Sequence, residues 1–443
     1  MSQSRLAAAA LLALGLAACS DQQPSAPSSE PRPEPLAIRQ QPEEVVPGEI
    51  LIKMKNGFSL DVLTRSTPGV RLERRLVETS RVSVLGVARG TERETAARLS
   101  RDPRVEYAEP NYIRRLEAIH PALWAFYNPG NLTAYFAPLP APPTAPTALP
   151  AGYRSITDAD QDNIENIGGG GSEVIIGSLD SGVDTDHPEF TGKLILGWDW
   201  WNNDALPEDD NGHGTHTIGT MVGTNVGVAG VTGAGTNVKV YVQKVCNHLG
   251  QCSTSAIVNA IYAAANYPGM VAMNLSLGGT SISAAEISAI NYAVDTMGVL
   301  VIAAAGNNGS GTVANPANYV KSISVGATNW RDARAYYSQY GSGLDITAPG
   351  GELYSNTTAE MGILSAYLSG GYAWMQGTSM ATPQVTGTAG VVASVTGLTG
   401  SALRTRLEST TDDKGAAGYD TTFGNGRLNT HRAILNSTLA YPL

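Results

Sequence analysis

The chain is 443 residues long, 42% apolar and only 15% charged, with a formal net charge of −10. That acidic balance argues against a nucleic-acid binder, which would show a basic domain. Apolar runs of about 18 residues or more are missing, which excludes a polytopic membrane protein. Three cysteines are too few for a disulfide scaffold.

In chain order, Arg5 is followed by an apolar block over 6–18 and then by Cys19. One basic residue, a short apolar block and small residues at its end predict a secretory signal over 1–19. The ending Leu16-Ala17-Ala18-Cys19 resembles the lipobox of bacterial lipoproteins, which makes Cys19 a lipidation candidate; ordinary signal cleavage is the alternative. Residues 20–47 are rich in Pro, Ser, Gln and Glu without apolar periodicity and read as a disordered tether. A compact unit is expected over 48–115. It has strands at 49–54, 82–87 and 104–113, and a helix at 91–100 with Thr91 and Glu94 spaced as a capping box. This order fits a small α+β sandwich. The span 116–157 is expected to be a linker, with a Pro/Ala-rich run over 137–150 that should be extended.

A larger domain is expected over 158–443. Apolar runs at 174–179, 238–244, 271–277, 299–304 and 322–327 read as strands. Helices are expected at 214–222, 253–266, 284–297 and 379–395. Runs apolar on both faces and separated by helices predict an α/β fold, with a mostly parallel central sheet covered on both faces. In such sheets the site lies outside the carboxyl ends of the strands. Charge divides along the same boundary. Residues 41–115 carry 14 Lys/Arg and 11 Asp/Glu, whereas 153–443 carry 12 and 24. Opposite charge favours association of the two parts; compositional accident is the other reading.

Three segments carry chemistry. Leu179-Asp180-Ser181-Gly182 ends a buried strand, where a carboxylate can be desolvated and still reach an imidazole. Asn211-Gly212-His213-Gly214-Thr215-His216 sets a histidine between glycines that let the backbone crowd the ring. Gly377-Thr378-Ser379-Met380-Ala381 puts a serine at the opening of a helix, near unpaired N–H groups and the positive dipole end. Asp, His and Ser are the parts that activate a hydroxyl nucleophile. In this chain order they resemble the subtilisin-like serine proteases, or subtilases, over about residues 170–432. Met273-Asn274-Leu275-Ser276-Leu277-Gly278 is similar to that family's substrate-pairing edge strand. Ala304-Ala305-Gly306-Asn307-Asn308 is similar to its oxyanion-hole loop.

The resemblance implies a subtilisin-like fold and a peptide hydrolase with Asp180, His213 and Ser379 as the triad. Asn307 would be the oxyanion donor, for which a rigid Gly-flanked loop is physically suited. Ser276, Leu277, Gly278, Ala304, Ala305 and Gly306 would wall the first specificity pocket, with Asn308 at its rim and residues 313–315 at its floor. No cofactor is expected for catalysis. The 48–115 unit resembles subtilase propeptides, which act as folding chaperones and internal inhibitors; a permanent accessory domain is the alternative. Gln384 stands where the family usually has histidine, a structural position. Calcium is open. Glu189 replaces a common ligand aspartate, and two acidic runs could bind calcium or be solvated loops: Asp158, Asp160, Asp162 and Glu165, and Asp204, Glu208, Asp209 and Asp210.

The other histidines read as structural: His216 inward and bonded to backbone, His187 in a turn, His248 exposed. Cys246 and Cys252 suit a small local disulfide in an extracytoplasmic chain. The expectation is a monomeric serine endopeptidase made as a self-processing zymogen, secreted or lipid-anchored in a bacterial envelope. Its partners would be polypeptide substrates and its own propeptide; it would bind no nucleic acid and would meet a membrane only through a lipid anchor. A binding protein on a dead protease scaffold is disfavoured, because all four catalytic positions are intact. An α/β-hydrolase esterase would need a Gly-x-Ser-x-Gly elbow, and Ser379 does not sit in one.

Overall fold

The computed structural model describes residues 43–116, 171–224, 230–232, 236–329, 331–353 and 362–436. The expected signal with Cys19, most of the tether, the linker beyond Leu116 and the acidic run over 158–165 lie outside them.

The N-terminal part runs β1 (Val45–Met54), α1 (Leu60–Ser66), β2 (Arg71–Arg75), β3 (Val82–Gly86), α2 (Glu92–Leu99) and β4 (Val105–Leu116). The strands are antiparallel neighbours in the order β4-β1-β3-β2. Alternation along β1 and β3 assigns their faces. Ile50, Ile52 and Leu85 turn to α1 and α2 and form one core with Leu63, Ala96 and Leu99. Leu51, Val82 and Val84 turn the other way, into a core shared with helices of the larger part. Both faces are therefore buried at the centre of β1 and along β3, where a half-buried strand was expected. Two further expectations are corrected. β1 begins at Val45, inside the expected tether, because Val45 pairs with Tyr112. Thr91 makes no side-chain cap; Glu92 instead takes the Gly48 and Gly90 amides at 2.6 and 3.0 Å.

The larger part continues with β5 (Val174–Asp180), β6 (Leu194–Asp199), α3 (His213–Val222), β7 (Val238–Lys244), β8 (Gln251–Ser253), α4 (Thr254–Ala265), β9 (Met270–Leu275), β10 (Leu277–Gly278) and α5 (Ala284–Asn291). Then follow β11 (Leu300–Ala304), β12 (Ile323–Thr328), β13 (Ile346–Pro349), β14 (Ile363–Tyr367), β15 (Gly371–Met375), α6 (Thr378–Thr396), α7 (Gly400–Ser409) and α8 (Thr430–Leu435). Seven strands form a parallel sheet in the order β13-β12-β11-β9-β5-β7-β6. Side chains of α3, α6, α7 and α8 pack with Ile176, Val240, Ile302 and Val325 in one core. Those of α4 and α5 pack with Ile175, Met273 and Val301 in another. The helix expected over 284–297 stops at Asn291 and passes into a π-turn over Tyr292–Thr296.

The two parts join through one strand. The first half of β4 pairs with β1, whereas its end pairs with β8 and β10 of the larger part. Ile113, Arg114 and Arg115 lie opposite Ser253, Cys252 and Gln251, and Arg115 and Leu116 lie opposite Gly278 and Leu277.

Candidate active site

Asp180 is the last residue of β5, at the carboxyl edge of the sheet and beside the point where the strand order changes direction. Open α/β sheets place their sites there. His213 opens α3. The helix reaches the turn after Asp180 because residue 214 is glycine: a Cβ there would stand 2.1 Å from the Gly182 carbonyl. His213 Nδ1 lies 2.6 Å from Asp180 Oδ1, with both side chains almost fully buried. The same carboxylate accepts the Ser181 amide at 2.7 Å and the Thr217 hydroxyl at 3.3 Å. A carboxylate fixed in this way sets the imidazole orientation and favours the tautomer with the proton on Nδ1. His213 Nε2 is buried and has no hydrogen-bond partner among the described residues.

Ser379 is the second residue of α6, which packs against α3. Its hydroxyl donates to the Ser276 carbonyl at 3.1 Å, and the Ser276 hydroxyl donates back to the Ser379 carbonyl at 3.0 Å. The Ser379–His213 hydrogen bond is thus not made in this structure; such bonds are often loose before substrate arrives. Asn307 follows β11. Its Oδ1 accepts the Thr378 amide at 2.9 Å and the Thr378 hydroxyl at 3.0 Å. That fixes which end of the amide is oxygen and makes Nδ2 its donor end.

His216, one turn along α3, faces inward as expected. Its Nε2 lies 3.1 Å from both the Ile363 and Ala373 carbonyls. Burial, and after it repulsion from His213, depresses its pKa to about 3, so it stays neutral. His187 is buried rather than a plain turn residue: its Nδ1 accepts the Glu189 amide and its Nε2 meets the Gly371 carbonyl. His248 is exposed. Gln384 donates to the Pro349 and Met380 carbonyls at 2.6 and 3.2 Å, a structural role.

Leu277 and Gly278 form β10, so they are already paired with a chain segment. Ala304, Ala305 and Gly306 are buried at the end of β11, Asn308 is exposed, and the Ala314 amide donates to the Ala305 carbonyl at 2.8 Å. Cys246 and Cys252 form a disulfide, which ties β8 to the end of β7.

The described acidic candidates for calcium are engaged by protein donors. Glu189 accepts the Thr224 amide and the Tyr372 hydroxyl at 2.8 and 3.0 Å. Asp209 accepts Ser181, Gly212 and Thr215, and Asp210 pairs with the buried Lys244. Asp204 caps the Leu206 amide and Glu208 takes the Thr185 hydroxyl. Among the described residues no three metal-ligating side chains converge. Among the described residues, the carboxylates at 189 and 204–210 are turned to protein donors and do not form a calcium cage. Asp158, Asp160, Asp162 and Glu165 lie outside the described residues.

The Subtilase family model matches residues 171–426. The chain belongs to the subtilase family. A model of the fervidolysin N-terminal prodomain matches residues 32–111. Thermitase of Thermoactinomyces vulgaris is 36% identical over 264 residues, covering 60% of this chain and 89% of thermitase. A thermophilic serine proteinase of a Bacillus species is 35% identical over 336 residues, 76% of this chain and 74% of that protein. Among solved structures, a protease of Pseudoalteromonas arctica matches with a TM-score of 0.55 at 29% identity, covering 62% of this chain and 92% of the other. A cold-adapted subtilisin-like serine proteinase matches at a TM-score of 0.50 and 33% identity, covering 62% and 90%. The subtilase is a serine peptidase carrying an N-terminal prodomain. Its family needs no cofactor for catalysis, and homologous subtilases are mostly secreted extracellular proteases.

Three features of the subtilase site escaped the sequence. The edge strand β8 is only three residues long, too short to display a period of two. The Thr378 side chain that ties down Asn307 gives no signal beyond its place before Ser379. The buried pair of Arg114 and Glu286 spans 172 positions, and neither residue stands in a motif.

Proposed function

We propose that this subtilase is a self-processing serine endopeptidase zymogen in which Asp180, His213 and Ser379 form the triad. The carrying observation is the buried 2.6 Å contact of Asp180 with His213, on a helix packed against the one that bears Ser379. In this reading Ser379 Oγ attacks the carbonyl carbon of a peptide bond while His213 Nε2 takes the hydroxyl proton. The carbonyl electrons move to oxygen, where Asn307 Nδ2 and the Ser379 amide hold the charge. Collapse expels the amine, which receives its proton from His213, and water then releases the acyl group by the same steps.

The prodomain inhibits by lying in the cleft. Support for this is the end of β4 between β8 and β10, the place a substrate strand would take. The first pocket accepts apolar or aromatic side chains, because its proposed walls are small and uncharged. Residues 1–19 export the chain, and Cys19 carries a lipid or is lost with the signal. Residues 20–42 act as a tether, 43–116 as the prodomain, 117–157 as a linker and 158–443 as the protease, working as a monomer.

Mass spectrometry of wild type and Ser379→Ala from the same bacterial host, with a peptide-hydrolysis assay on each, tests the whole reading. Wild type should be cut behind the prodomain and active. Ser379→Ala should be uncut and at least several orders of magnitude less active. Equal activity of the two refutes the triad, and an uncut Ser379→Ala chain whose Cys19 is unmodified or removed refutes the anchor.

A further inference from the structure

We propose that the cleft selects a basic residue, arginine above lysine, at the fourth position before the scissile bond, and that Glu286 is the residue that reads it. This rests on the reading of Ser379 as the nucleophile. The end of β4 supplies the register. Arg115 and Leu116 lie opposite Gly278 and Leu277, and the Leu116 amide donates to the Gly250 carbonyl at 3.0 Å. One step further along the antiparallel ladder is Ser276, whose carbonyl accepts the Ser379 hydroxyl. A substrate in this register offers the nucleophile the residue after the one in the place of Leu116. Counting back from the bond cut, the place of Leu116 is second and that of Arg114 is fourth.

Strand alternation turns Arg114 and Arg115 to opposite sides. Arg115 is 55% exposed and pairs with Glu44 of the prodomain. Arg114 is 1% exposed and turned into the protease, where Glu286 is also 1% exposed. Arg114 Nη2 and Nε donate to Glu286 Oε2 and Oε1 at 2.8 and 3.2 Å. This two-pronged match suits a guanidinium and not an ammonium. The carboxylate is fixed independently of Arg114. Ser283 and Glu286 form a capping box at the start of α5, with the Ser283 amide 2.9 Å from Oε2 and the Glu286 amide 3.0 Å from the Ser283 hydroxyl. Room for the arginine stem comes from Gly279, where a Cβ would stand 2.9 Å from Arg114 Cδ.

The other charged and aromatic groups around this arginine belong to the prodomain. Glu43 is 3.4 Å away and the Tyr112 ring centroid 5.5 Å away, while Glu109 caps the Ala284 and Ala285 amides of the same helix. All leave with it. What remains in the protease is a pre-positioned carboxylate and a gap beside it. An apolar side chain entering that gap would bury the charge unpaired, and an acidic one would oppose it. The rival account is that the pair only locks the zymogen.

Four peptide anilides, Arg-, Lys-, Leu- and Glu-Ala-Pro-Phe, assayed with the matured full-chain product, decide between the two. The Arg peptide should exceed the Leu peptide roughly tenfold or more in kcat/KM, with Lys between them and Glu lowest. In Glu286→Gln, which keeps an oxygen for the Ser283 amide, the Arg-to-Leu ratio should fall close to one. Turnover with a flat or Leu-favouring ratio in wild type, or an unchanged ratio in Glu286→Gln, overturns the proposal and leaves the role of Ser379 intact. Failure to cut any of the four counts against Ser379 instead. The uncut peptides are then fluorescently labelled and titrated against both proteins by anisotropy. Equal Kd values for Arg and Leu on wild type overturn the subsite; tighter Arg binding lost in Glu286→Gln upholds it.

Discussion

Replacing Asn111 should loosen the prodomain far more than its size suggests. The side chain is fully buried. Its Nδ2 donates to Glu49 Oε2 at 2.7 Å and to the Ser255 hydroxyl at 3.0 Å, and its Oδ1 accepts the Ser255 amide at 3.0 Å. Ser255 is the second residue of α4, so its amide has no partner within the helix. Asn111→Ala removes these bonds and leaves that N–H buried and unpaired. A neutral hydrogen bond contributes about 1 kcal/mol net, and an orphaned donor costs about 1–3 kcal/mol. Glu49 retains Arg74 at 2.9 and 3.0 Å, so no charge is stranded. The loss is about 2–4 kcal/mol, or roughly 30- to 1,000-fold in affinity. Asn111→Asp separates shape from charge. It keeps the acceptor for Ser255 but sets a second carboxylate against Glu49. It should inhibit weakly near pH 8 and recover as the pH falls toward 5, whereas Asn111→Ala should be flat over that range. The inhibition constant of added prodomain against mature enzyme, read with a chromogenic peptide, measures all three. An alanine variant within about threefold of wild type would refute the reasoning.

The chemistry was legible because it lies in contiguous segments at the ends of regular elements. Asp180 closes an apolar run, His213 sits in a glycine-flanked segment, and Ser379 opens a long helix; each side chain is placed by its own neighbours. The parallel strands read well because both their faces are apolar. The short and two-faced elements did not. In β1 the run Ile50-Leu51-Ile52 breaks strict alternation, and the odd residue, Leu51, is the one that faces the protease helices. That break was visible, but without a partner in view it reads as a stronger half-buried strand. The hairpin β14–β15 is half-buried along much of its length and lacks a clean period. Contacts between distant positions, such as Arg114 with Glu286 or Asn111 with Ser255, leave no mark on either local sequence. They were accessible only as the coarse charge opposition between the two parts, which favours their association but names no residue.

Maturation should be autocatalytic and fall between Arg115 and Asp158, where a Pro-rich span separates two compact parts; N-terminal sequencing of the mature enzyme checks this, and the same cut in purified Ser379→Ala would assign it to another protease. At the position next to the bond cut, peptides with Phe or Leu should show higher kcat/KM than those with Arg or Glu, because none of the proposed walls carries a charge to balance a buried ion. The same sequencing bears on this preference: a mature chain starting at Ala118 would put Glu117 in that pocket and count against it. Discrimination among apolar side chains should be shallow, since one methylene is worth only about 1–3 kcal/mol. Acid should destabilise the fold through His216. Burial holds its folded pKa at about 3, whereas the unfolded chain takes up the proton near pH 6.5. Between those values the unfolded state binds more protons, so stability is complete above about pH 6.5 and falls as the pH drops, by at most about 1.4 kcal/mol per unit for this one group. Urea unfolding of Ser379→Ala, in which autolysis is suppressed, should show that slope from pH 6.5 to 4. Ser379→Ala/His216→Gln keeps an N–H donor that does not titrate, and should be less steep by up to one proton. Equal slopes in the two proteins would mean that His216 Nδ1 takes up a proton in the fold as readily as in the unfolded chain, and that burial does not hold its pKa down.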